Sequence, residues 1–303
     1  MPSEQSHNAA QAIETWRAGG RFFDWRGHDI HYRDQGGADR PALVMIHGFP
    51  TASWDWRHIL PAFQDSHRVI MMDLIGFGLS AKPRRFLYSI HAQADMVDAL
   101  LADLGVTRCR ILAHDYGDTV TQELLARQGE RQDRGAQGLT VERAVLLNGG
   151  LFPETHLPVR MQKLLISPLG PLVVKFFTFE KMEAAFRHIC ARPLPDGEVA
   201  GYWALLQHNN GRAVMPLLIR YMEERRRHRE RWVGALQQAA GRGVPLRLID
   251  GTEDPISGGH MVARYRELVP DPDVVELAGV GHYPQTEAPD AVIDAARPFF
   301  AEP

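Results

Sequence analysis

CRILAHDYGDT, residues 109–119, reads as a strand, a sharp turn and the start of a helix. The strand ends at His114, and Ala113 and Gly117 bracket Asp115 with small residues. Small neighbours let the chain turn tightly enough to lift one side chain above the end of a sheet. This is the strand–turn–helix setting of a nucleophile elbow, with Asp115 where a serine is usual. The N-terminus of the following helix favours a charged carboxylate there. Asp115 also fits a plainer role, because aspartate is a common helix N-cap.

Working outward, short apolar runs recur at 22–25, 28–34, 42–49, 68–76, 143–150, 246–251 and 274–279, making about eight strands with 109–117. Nearly continuous apolar runs suit strands buried on both faces of a parallel sheet. Helical patterns at 91–104 and 118–128 alternate with them, which gives an α/β fold. The segment 129–142 is polar and glycine-containing, and reads as a surface loop. From 153 to 237 the pattern is helical and broken by prolines, and strand signals return after Pro245. The economical division is a core from 1–152 and 238–303 with a helical insertion, 153–237, between strands six and seven. Within it, the basic run EERRRHRER, 223–231, reads as the solvated face of a helix.

The length of 303 residues fits two domains or one large domain with an insertion. A net charge of −3 gives no global field for nucleic acid. Two cysteines, Cys109 and Cys190, make no disulfide scaffold, and the first twenty residues lack a signal-peptide core, so a cytoplasmic protein is expected. The most apolar stretch, 164–179, is too short and proline-rich to span a membrane. It reads as a buried or lid segment, with contact at a membrane surface as the less favoured alternative. No cysteine or histidine spacing suggests a metal, and no glycine-rich pattern suggests a nucleotide, so no cofactor is expected.

Two further loops carry partners for Asp115. DGTEDP, 250–255, puts Asp254 after strand seven, with Asp250 as a less well placed competitor. GVGHYPQTEAP, 279–289, puts His282 after strand eight. The order Asp115, Asp254, His282 is the nucleophile–acid–base order of α/β-hydrolases. HGFP, 47–50, follows strand three, where the backbone N–H of Phe49 would join that of Tyr116 as an oxyanion hole. Pro50 is a candidate for a cis peptide bond.

HGFP, DLIGFGLS (73–80), HDYGD, DGTEDP and GHYPQTE together resemble the epoxide hydrolase and haloalkane dehalogenase side of the α/β-hydrolase superfamily. Longer strings, among them HGFPTASWDW (47–56), HDYGDTVTQELL (114–125) and LNGGLFPETHLP (147–158), resemble its mesoderm-specific transcript branch. The resemblance implies an α/β-hydrolase fold with a mostly parallel eight-stranded sheet and a helical cap. It also implies cap tyrosines as proton donors. Tyr221 lies in IRYMEERRRHRERW (219–232), which is similar to the epoxide hydrolase segment holding one of them. The place of the other, 170–186, has no tyrosine, and Tyr202 is the substitute. Phe176, Phe177 and His208 complete the expected substrate lining. Asp118 stands where a small residue is usual, and reads as a charge in the first helical turn.

The residue type narrows the reaction. Serine attacking an sp³ carbon would leave an ether, which the same site cannot hydrolyse. A carboxylate leaves an alkyl ester that water can cleave. Asp115 therefore favours opening of a small uncharged epoxide, with water as co-substrate. Displacement of a halide is the alternative, although Phe49 and Tyr116 replace the halide-binding side chains usual there. A non-catalytic binding protein that kept the fold is the third reading.

Overall fold

A computed structural model describes residues 4–302; the outermost ends of the expected division, residues 1–3 and 303, lie outside them. Eight strands form one sheet: β1 (Arg21–Trp25), β2 (His28–Gln35), β3 (Ala42–Ile46), β4 (Arg68–Met72), β5 (Arg108–His114), β6 (Thr140–Leu147), β7 (Leu246–Gly251) and β8 (Asp273–Leu277). Their order is β1-β2-β4-β3-β5-β6-β7-β8. β2 pairs antiparallel with β1 and β4, and every other pairing is parallel. All of β3 is buried, as is β4 from Val69 and β6 from Arg143, which explains their unbroken apolar sequences.

The helices are α1 (Glu4–Ala18), α2 (Ile90–Asp103), α3 (Tyr116–Asp133), α4 (Arg160–Ile166), α5 (Gly170–Val173), α6 (Phe179–Ile189), α7 (Glu198–Gln207), α8 (Met215–Leu218), α9 (Tyr221–Arg227), α10 (Arg229–Ala239), α11 (Gly259–Leu268), α12 (Pro284–Glu287) and α13 (Pro289–Ala301). Helices α4–α10 all fall between β6 and β7, and a 3₁₀ turn at Ala240–Arg242 extends that run.

Three expectations need correction. Helix α3 runs on to Asp133, so 129–133 is helix rather than loop. Its last turns are held by ion pairs of Arg231 with Glu130 and Arg242 with Asp133, which local polarity does not reveal. The basic run at 223–231 is not one solvated face: Arg226 and Arg227 are exposed, but Arg225 is 2% exposed and Arg231 pairs with the buried Glu123. The apolar stretch 164–179 is not wholly buried either, since Leu164, Leu169, Leu172 and Phe176 face outward.

Candidate active site

Asp115 closes β5 and caps α3 with φ 45° and ψ −99°, a conformation outside the usual wells for a non-glycine residue. Gly117 makes the turn possible, because a Cβ there would lie 2.2 Å from the Ile46 carbonyl oxygen. The Asp115 carboxylate makes no cap bond and is 2% exposed. It accepts from the Phe49 N–H at 3.1 Å on Oδ2 and from the Tyr221 hydroxyl at 3.2 Å on Oδ1. The Phe49–Pro50 peptide is cis.

The Arg225 guanidinium closes the other side. Its Nη2 donates to the Asp115 carbonyl at 3.1 Å and reaches Oδ1 at 3.4 Å, and its Nε donates to Thr119 Oγ1 at 2.8 Å. The guanidinium also lies 4.4 Å over the Tyr221 ring, a cation–π contact. Burial pushes the Asp115 carboxyl up, but Arg225, His282 and the Phe49 N–H together hold it below the ordinary 3.8.

His282 is 3% exposed, and its Nδ1 lies 2.7 Å from Asp254 Oδ2. Asp254 is fixed in turn by the Ile256 N–H, the Ser257 hydroxyl and the Asn148 amide at 2.7, 2.8 and 3.1 Å. Burial alone would lower the His282 pKa. The charge of Asp254 and its hydrogen bond, with a further contribution from Asp115, raise it above 6.5 instead. Asp250 faces no donor and is pushed well up by burial and by the Asp254 charge, so Asp254 is the acid in contact with the histidine.

Supporting groups hold the loops. His47 donates from Nδ1 to the Gly48 carbonyl and accepts the Leu74 N–H on Nε2, which shapes the turn before Phe49. His114 Nε2 bonds the His282 carbonyl at 2.7 Å. Glu287 accepts from the N–H groups of Gly281, Tyr283, Ala191 and Arg192, joining the histidine loop to the helical segment.

The other expected residues lie elsewhere. Tyr202 shares a hydroxyl–hydroxyl hydrogen bond with Thr286 at 3.1 Å and stacks on Phe186, rather than bonding Asp115. Phe176 is 63% exposed, so it lines no buried site. Phe177 is buried against Trp203, and the half-buried His208 lies in the field of Lys82. Tyr116 packs its ring between Phe77 and Tyr221, and its N–H opens α3 beside Asp115. Asp118 is fully buried, and burial with the Asp115 charge pushes its carboxyl well up.

Sequence reading missed Arg225, Asn148, Ser257 and Glu287. For Arg225 a signal existed: it stands four residues after Tyr221, hence on the same face of a helix. A cavity of about 10 Å³, bounded by Phe49, Phe77, Lys82, Leu206, Met215 and Leu218, lies between sheet and helices.

Known proteins resemble this chain in sequence and in fold. Residues 43–295 match the family described as the alpha/beta hydrolase family. The chain is 39% identical to the mesoderm-specific transcript homolog protein of Bos taurus over 95% of its own length and 88% of the relative's. It is 28% identical to haloalkane dehalogenase 2 of Mycobacterium bovis, over 91% of this chain and 92% of that one. A crystal structure of the haloalkane dehalogenase DbeA-M1 loop variant from Bradyrhizobium elkanii superposes with a TM-score of 0.78 at 23% identity, covering 93% of this chain and 96% of that chain. That last likeness bears on the fold alone.

Proposed function

Given that the chain belongs to the alpha/beta hydrolase family, we propose that it is an epoxide hydrolase working through an alkyl ester on Asp115. The observation that carries this reading is the Tyr221 hydroxyl, 3.2 Å from Asp115 Oδ1. Nucleophile and proton donor then face one point from opposite elements. One Asp115 oxygen attacks an epoxide carbon, the carbon–oxygen bond breaks, and Tyr221 gives its proton to the departing oxygen.

His282, oriented by Asp254, next takes a proton from water. The resulting hydroxide attacks the ester carbonyl, and the oxyanion sits at the N–H groups of Phe49 and Tyr116. Collapse expels the second alkoxide. The protons on the imidazole and on the new carboxylic acid return to that alkoxide and to Tyr221, releasing a vicinal diol.

Esterification also removes the Asp115 charge that helps raise the His282 pKa. The intermediate thereby makes its own base more available. In this reading residues 153–237 form a cap over a core of 1–152 and 238–303. Asp115 and His282 are buried under it, so a substrate gains access when the cap helices part from the sheet. Tyr202, Phe177 and His208 then serve the cap's packing, and the substrate is small and uncharged.

The test is a panel of epoxides and haloalkanes on the wild type and Tyr221→Phe. Diol release that falls about 10²–10⁴-fold in Tyr221→Phe is the expected result. Halide release that survives the substitution, with no diol, assigns the same triad to dehalogenation instead. No product from either class supports the non-catalytic reading.

A further inference from the structure

Seven large apolar side chains are exposed among the described residues, and five of them fall within twenty residues: Leu157, Leu164, Leu169, Leu172 and Phe176. They are not scattered. α4 packs on α5, and α5 on the turn at Val174–Phe176, so most of these exposed side chains stand on consecutive, mutually packed elements. The inward set, Leu165, Val174 and Phe177, is buried beneath them. Exposed apolar side chains clustered in this way mark a contact surface.

Charge selects the occupant. Residues 155–179 contain no aspartate or glutamate, and they carry Arg160, Lys163 and Lys175 within a chain of net charge −3. All three cations are exposed, and no ion pair among the described residues engages them. Two copies of this face set against each other would bring like charges together. Apolar side chains rimmed by unpaired cations fit an anionic lipid surface, where the former enter the headgroup region and the latter meet the phosphates. No helix of the described residues is long and apolar enough to cross a membrane, so the contact is peripheral.

We propose that the outward face of α4, α5 and residues 174–176 docks this protein on anionic membranes. The proposal is independent of the catalytic reading, since it concerns side chains that the proposed reaction does not use.

The test is sedimentation with vesicles of phosphatidylcholine alone or of phosphatidylcholine with phosphatidylglycerol, together with size-exclusion chromatography of the free protein. The expected result is a monomer that pellets with the anionic vesicles and is released by 0.5 M salt, a condition that shortens screening to about 4 Å. Lys163→Gln and Lys175→Gln are each expected to weaken binding about fivefold, and Leu169→Ser with Phe176→Ser tenfold or more. Thermal unfolding of these surface variants should match the wild type. A wild-type chain that stays in the supernatant with both vesicle types overturns the proposal. So does undiminished pelleting of the serine variants. A dimer that Leu169→Ser dissociates assigns the face to a second copy and overturns it as well.

Discussion

Arg225 favours the ionised form of the carboxylate it touches. Burial of Asp115 raises its pKa, and the guanidinium is the largest force in the other direction. Ester formation needs the ionised carboxylate, and the ionised fraction falls only as pH drops through the folded-state pKa. Since that pKa lies below 3.8, the rate of ester formation in the wild type should be flat from mildly acidic pH upward. Arg225→Met removes the opposing charge and keeps the bulk. Its acid limb in kcat/KM is expected to move up by about one to three pH units, while Arg225→Lys restores part of the shift. A variant that merely loosened the fold would lower the rate without moving the limb. The same residue shows where sequence reading stops. Tyr221 was legible from its resemblance, but Arg225 stood in a run of arginines whose average reading is solvent. Only the face shared with Tyr221 separates it from Arg226 and Arg227.

Helix α3 and the strands around it set the precision of the elbow. Gly117 faces the Ile46 carbonyl so closely that Gly117→Ala should destabilise the protein by about 1–3 kcal/mol, the range for an overpacked site. Gly234 in α10 is the counterpart: an added Cβ there meets only the far end of Gln238, at 3.8 Å. Gly234→Ala is therefore expected to stabilise by about 0.5–1 kcal/mol. Chemical denaturation of both variants reads the two signs directly. The strands were legible at this scale because burial on both faces writes an apolar run into the sequence. The far end of α3 was not, because Glu130 and Asp133 gain their hold from Arg231 and Arg242, about a hundred positions away along the chain.

At the scale of the molecule, the helices of α4–α10 interrupt the chain between the residue proposed to attack and the two proposed to activate water. Asp115 lies before them, and Asp254 and His282 after them. Sequence order carries the expectation that the three meet, since the ends of parallel strands gather at one edge of a sheet; the His282–Asp254 hydrogen bond is the part of that meeting seen directly. Sequence order did not foretell the hydrogen bonds by which Glu287 ties the histidine loop to the helical segment. An ester on Asp115 requires that water oxygen enter the enzyme's carboxylate before it reaches product. The direct measurement is a single turnover of an epoxide in heavy-oxygen water, with excess enzyme, followed by mass spectrometry of the Asp115 peptide and of the diol. The expected result is label in the Asp115 carboxylate and an unlabelled first diol, whereas label in that diol with none in Asp115 would contradict the ester.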